Sequence, residues 1–221
     1  NGMTNPAKRL AESFCFEREF FVDSIFFDEE WQINEREGEN RRLFADHLVL
    51  TMPVPQILEL FQRSKFELES KVMNQLEAVQ YTRCLALLGI LDKPSVLSDP
   101  GTLTHPVPDI EWISDNQLKG ISEVPACTVH AANDYSQKFW DSPQEGGPYL
   151  VKVAEECLQA KITEWSCHRW GFAKPLVTFG ANQYISAWDR LSLAGDSFGG
   201  ERIENAAMSG WDAAQAILDM E

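Results

Sequence analysis

Apolar positions along this chain change period several times, and each change marks an element. Behind Asn5-Pro6, which reads as a helix cap and first helical residue, Ala7, Leu10, Ala11 and Phe14 recur at helical spacing. From Phe20 to Ile33 the texture turns aromatic and β-branched, broken only by Asp28-Glu29-Glu30. That pattern predicts a hairpin with Trp31 and Ile33 on one face and the acidic run as its solvated turn. The charged stretch Glu35 to Arg42 reads as a second solvated turn.

Leu48 to Thr51 forms a short apolar run, followed at once by Pro55, Ile57, Leu58 and Phe61 at helical spacing. This is a strand-to-helix unit of the kind parallel sheets use. A further helix is expected over Leu68 to Val79. Tyr81 to Leu91 is apolar at both parities, which predicts a strand covered on both faces. Pro94 to Pro108 is punctuated as a loop. Strands are expected around Ile110 to Ile113, Ala126 to Ala131 and Ile162 to Trp170, with a helix from about Tyr149 to Ala160.

The last segment carries the most information. Leu191 to Ala194 is a short strand tipped by Gly195-Asp196, and a glycine-containing turn to Gly200 leads into a helix. In that helix Ile203, Ala206, Ala207, Gly210, Ala213, Ala214 and Ile217 repeat at helical spacing. A helix N-terminus aims unpaired N–H groups back at the strand tip, where the acid sits. Such a junction suits a ligand with hydroxyls for the aspartate and electron-rich oxygens for the helix end. On spacing alone, an ordinary strand-to-helix junction with an Asp cap is the favoured reading.

The chain has 221 residues, 44% hydrophobic, enough for one large domain or two intertwined lobes. A formal net charge of -15 repels phosphate backbones and anionic lipid, which argues against nucleic-acid and membrane-surface partners. Cys15, Cys84, Cys127, Cys157 and Cys167 are odd in number and scattered, the usage of a reducing, cytoplasmic compartment. His47, His105, His130 and His168 show no metal-ligand spacing, so no metal site is expected. Opening on Asn1-Gly2 and running almost directly into a helix, the sequence reads as a piece of a longer protein.

The wording of the tail goes further than its spacing. Leu193-Ala194-Gly195-Asp196-Ser197, Arg202-Ile203-Glu204-Asn205-Ala206, Ser209-Gly210 and Ala213-Ala214 closely resemble the closing motif of FAD-dependent amine oxidases and renalases. The stretches Val49 to Leu58 and Gln75 to Tyr81, and the opening Gly2-Met3-Thr4, resemble the renalase-like branch, in order and over nearly the whole chain. The resemblance implies a mixed α/β fold: part of a Rossmann-like FAD-binding lobe (residues 1–15, 42–66 and 186–221) and a substrate lobe on a mixed or antiparallel sheet (16–41 and 67–185). It also implies FAD as cofactor, with Gly195, Asp196, Arg202, Ile203, Glu204 and Ala206 at its ribityl, pyrophosphate and pyrimidine portions. Val22 would meet the adenine through its backbone, and Thr51, Met52 and Pro53 would line the nucleotide side.

Two departures stand out. The glycine-rich pyrophosphate turn and its ribose-binding acid are missing, and Gly195, Gly199 and Gly200 have the wrong spacing to replace them. An N-terminal dinucleotide-binding segment of a parent protein is therefore the expected partner. Gly171 also follows Trp170 where relatives carry arginine, so substrate preference does not carry over.

Candidate substrate-side residues are Tyr81, Arg83, His168 and Trp170. Each has a plainer reading: Tyr81 and Trp170 as packing, His168 as solvated, Arg83 as snorkelling or paired with a buried acid. No acid–base set is evident, and flavin chemistry does not demand one. The expected activity is hydride transfer from a reduced small molecule to flavin, reoxidised by dioxygen. Isomeric dihydronicotinamide dinucleotides are the leading substrate and amines the second. The alternative is a non-catalytic partner domain that kept the fold and lost FAD.

Overall fold

The computed structural model describes residues 5–36 and 41–220; Gly2-Met3-Thr4 lies outside them. The chain divides into two compact units. The first holds residues 5–16 with Thr82–Ala173, the second 17–36, 41–81 and 174–220.

In the first unit, α1 (Asn5–Ala11) has no buried residue, although its helical period was legible. The unit is built on a five-stranded sheet in the order β6-β7-β8-β5-β9. These strands are β5 (Gln80–Leu91), β6 (Thr102–Val107), β7 (Ile110–Asp115), β8 (Ala126–Ala131) and β9 (Ile162–Val177). Two helices, α4 (Asn133–Lys138) and α5 (Pro143–Leu158), accompany it. Leu85, Leu87, Ile113, Val129, Leu150, Ala154 and Leu158 form one core, which places α5 on the odd-numbered side of β5.

The opposite face is open only in part. Register pairs Ala86 with His130 and His130 with Trp112, then Leu88 with Thr128 and Thr128 with Ser114. Cys84 and Ala86 are buried on this side, as the two-sided reading of the pattern expects, whereas Leu88 and Ile90 are 46% and 40% exposed, so β5 is covered on one face only toward its end.

The Pro94–Pro108 stretch, expected as loop, contains β6. Pro106 is tolerated there because β6 is an edge strand, where a missing N–H costs no ladder bond. The short α4 had no sequence signal strong enough to mark it.

The second unit packs two three-stranded sheets and two helices about another core. One sheet is antiparallel, β1 (Val22–Asp28), β2 (Glu30–Glu35) and β3 (Arg42–Ala45). The expected hairpin is there, with Glu29 at φ 68° in its turn and Trp31 and Ile33 buried. Glu35, read as part of a solvated turn, is instead a buried strand residue bridged to Arg41 at 2.6 Å. Burial of this carboxylate requires the guanidinium beside it.

The other sheet has the order β10-β11-β4: β10 (Tyr184–Ser186), β11 (Leu191–Leu193) and β4 (Leu48–Leu50). β11 and β4 are parallel, pairing Leu191 with Leu48 and Leu193 with Leu50. β4 feeds α2 (Val54–Ser64), then α3 (Ser70–Glu77); β11 feeds a single turn, α6 (Asp196–Gly199), and α7 (Ile203–Leu218). Trp31 is wholly buried, and its Nε1 donates to the carbonyls of Asp189 (2.8 Å) and Arg190 (3.1 Å), tying the loop before β11 to the antiparallel sheet.

Candidate functional site

The carboxyl ends of the parallel strands β4 and β11 lie side by side, the place where open α/β sheets bind ligands. The Ala194 amide donates to the Leu50 carbonyl at 3.1 Å, so the pairing runs to the last residue before the turn. Gly195 then takes φ +132°, a conformation that side chains rarely adopt, and a Cβ there would lie 3.3 Å from the Thr51 carbonyl oxygen. The two turns thus approach backbone to backbone. Gly199 is tighter still, since a Cβ there would run into the carbonyl of Asn205.

Asp196 is half-buried at the start of α6. Its Oδ1 accepts a hydrogen bond from the Tyr81 hydroxyl at 3.1 Å. Burial pushes the Tyr81 phenol up to about 12; the neighbouring Asp196 charge adds to this, while Ser197 and the Val54 backbone oppose it. Tyr81 is therefore a neutral donor at physiological pH and holds one carboxylate oxygen in place.

Ser209, fully buried on α7, was not singled out for this role from the sequence. Its Oγ accepts from the Gly195 amide at 2.9 Å and donates to the Asn182 carbonyl. A serine inside a run of small helical residues was the available signal. Two turns earlier, α7 begins at Arg202 without a side-chain cap, and Arg202, Ile203 and Glu204 are exposed while Ala206 is half-buried. The first N–H groups of α7 are thus open, with the positive end of the helix dipole behind them.

The expected residues sort into three groups. Thr51, Met52 and Pro53 line the β4–α2 turn, whose Thr51 carbonyl faces Gly195; Asp196 follows Gly195, and the α7 start lies beyond α6, where Asn205 meets Gly199. Val22 stands on the antiparallel sheet, at a bulge, where its carbonyl accepts from Arg63 Nη2 at 3.5 Å.

The third group lies on the five-stranded sheet and is split between its faces. Arg83 stacks on Trp140, 4.7 Å from Cζ to the ring centroid, on the side of the α5 core. His168 and Trp170 alternate with the core residues Trp165 and Cys167, so they share the open face with Glu164 and Ser166. Their rings meet edge-on at 4.7 Å, and Trp170 is 53% exposed, which overturns its reading as core packing.

The open face also holds groups that sequence reading passed over. Trp112 and His130 pack ring to ring at 5.1 Å, and Asn116 Nδ2 donates to Thr128 Oγ1 at 2.9 Å. Burial holds the His130 ring below its usual range against the pull of Glu111, with Lys119 adding to the effect. A cavity of about 410 Å³ opens there, lined by Leu88, Ile90, Asn116, Ile121, Glu164 and Ser166 among others. Their alternation was visible in the sequence, but which parity faces away from the helix was not. Among the described residues no His, Cys, Asp or Glu group is placed to hold a metal, and no helix is long and apolar enough to cross a membrane.

No family model matches the chain. Solved structures do. Cyclohexylamine oxidase from Brevibacterium oxydans aligns over 99% of this chain and 53% of its own, with a TM-score of 0.73 and 18% identity. A putrescine oxidase redesigned in cofactor binding aligns over 100% and 53%, with a TM-score of 0.72 and 12% identity. A fatty acid isomerase from P. acnes aligns over 90% and 48%, at 0.62 and 9%. The chain spans about half the length of these structures, and one architecture serves both oxidases and an isomerase, so the likeness speaks for fold. The chain has the mixed α/β fold shared by these amine oxidases.

Proposed function

We propose that this chain is the C-terminal part of an FAD-dependent oxidoreductase of the renalase and amine-oxidase type. The observation that carries the reading is the junction at the ends of β4 and β11. There a half-buried aspartate held by Tyr81 follows a close backbone approach at Gly195, and beyond the one-turn α6, where Gly199 has no room for a side chain, α7 begins uncapped. The resemblance of the tail sequence supports FAD as the group this junction takes.

The residues present fit that cofactor. Asp196 has a carboxylate oxygen free of Tyr81 to accept from ribityl hydroxyls, while the open N–H groups of α7, with Arg202 beside them, suit phosphate and pyrimidine oxygens. Gly195 and Thr51 to Pro53 let main chain come close, with Val22 meeting the adenine. When bound, the flavin supplies the electron sink for hydride removal from substrate and passes electrons to dioxygen. The chain's own part is positional: Tyr81 fixes Asp196, Ser209 fixes Gly195, and Tyr81, His168 and Trp170 are the proposed substrate-side groups, Arg83 lying on the other face of the sheet.

We propose residues 1–15, 42–66 and 186–221 as the cofactor lobe's share of this chain. The missing glycine turn is supplied by an N-terminal dinucleotide-binding segment, for which β4, an edge strand, offers an open ladder. The reduced small molecule is an isomeric dihydronicotinamide dinucleotide, with amines second, and the compartment is the cytoplasm, on the chain's unpaired cysteine usage.

The test is the full-length protein containing this chain. It should purify yellow, with the absorbance bands of bound flavin, and Asp196→Ala should lower FAD retention at least tenfold. A preparation that is colourless and stays so with added FAD would overturn the reading and leave the partner-domain alternative.

A further inference from the structure

Outside that junction, one cluster answers no need of the fold. Arg83 leaves β5 on the core side and lays its guanidinium over the Trp140 indole, with Cζ 4.7 Å from the ring centroid. Arg169, from β9, meets the same indole at 5.7 Å, and its Nη1 donates to the Trp140 carbonyl at 3.3 Å. Trp140 is half-buried and packs against the core of this unit, so both arginines are braced on a fixed ring.

A guanidinium held over a ring by its flat face keeps its N–H edges for hydrogen bonds, and Arg169 spends only Nη1 on the Trp140 carbonyl. Among the described residues neither arginine has an ion-pair partner. That is unexpected in a chain with 34 acidic and 19 basic residues, where an exposed arginine meets a carboxylate easily. Asp134 and Asp141 are the nearby acids in sequence; Asp134 accepts from Asn133 Nδ2 at 3.4 Å. Lys138, over Phe139 at 5.0 Å, adds a third positive charge. Two positive charges thus meet on the Trp140 ring, with a third on the neighbouring Phe139.

We propose that Arg83 and Arg169, braced on Trp140, form a binding site for a phosphate-bearing small molecule, with a diphosphate group as the best fit. Both Cζ atoms lie close to one ring, no more than about 10 Å apart, a span a diphosphate covers with one fork on each phosphate. The site lies on the helix-side face of the sheet, opposite His168 and Trp170. It does not depend on the flavin reading, and failure of that reading leaves it untouched.

The test is calorimetric titration of the full chain with sodium pyrophosphate at constant ionic strength. One saturable site is expected, weakened about tenfold by Arg83→Gln or Arg169→Gln and severalfold by Arg169→Lys, which keeps the charge and loses the fork. Circular dichroism confirms that each variant is folded, and Arg169→Lys keeps the test decisive if a glutamine variant is not. No saturable heat with the wild-type chain, unchanged affinity in the folded variants, or equal displacement by sodium chloride would each overturn the proposal.

Discussion

The two units present their chemistry in opposite ways. At the ends of β4 and β11 the surface is made of main chain: Gly195 has a φ that side chains rarely adopt, Gly199 has no room for a Cβ, and buried Ser209 ties the turn down. On the five-stranded sheet the surface is made of large side chains, Trp112, His130, Leu88 and Trp170 on one face and the Arg83–Trp140–Arg169 stack on the other. A backbone-built site tolerates almost no added atom but is indifferent to side-chain identity. A side-chain-built face tolerates substitution and sets what is recognised.

The sharpest way to break this contrast uses the two sides of β5. Leu87→Ala, in the core, should cost about 2–5 kcal/mol by denaturant unfolding, whereas Leu88→Ser, on the open face, should stay within about 0.5 kcal/mol. Equal losses would mean that the open face is not open. Next in size, Gly199→Ala should cost about 3 kcal/mol, because its Cβ meets the Asn205 carbonyl, which only backbone movement can relieve. Its counterpart Gly171→Ala meets nothing closer than Trp140 at 3.8 Å and should change stability little.

Ser209→Ala should cost about 1–3 kcal/mol in unfolding free energy, since the Gly195 amide and the Asn182 carbonyl both lose their partner. The smallest effect concerns Tyr81. The folded protein holds its phenolic proton more tightly than the unfolded chain does. Its stabilisation is therefore complete below pH 10 and declines as pH rises toward about 12. Stability curves of wild type and Tyr81→Phe should diverge across that window; parallel curves would mean that the Tyr81 hydroxyl is not buried beside Asp196.

Much of the candidate site was legible because its parts are contiguous. Strand, Gly195-Asp196, turn and helix follow one another, and Asp28 to Glu30 had to be a turn because three adjacent charges cannot be buried together. What escaped was long-range. Tyr81 and Asp196 lie 115 positions apart, and Ser209 serves Gly195 from a different element. β6 was missed because Pro106 reads as a breaker until the strand is known to lie at an edge. α7 carries the expected helical repeat, yet Ile203 is 57% exposed and Ala207 and Ala214 are exposed with it. A period reports which residues share a face, not whether that face is covered.

By itself the sequence determined local geometry: the periods, the glycine-permitted turn and the acid at a strand tip, all set by backbone sterics over a few residues. Only the tertiary structure decided which parity of β5 meets a helix, that Arg83 finds an indole rather than an acid, and that Tyr81 reaches Asp196. Burial and pairing depend on partners distant along the chain, and no local pattern encodes which of them will arrive.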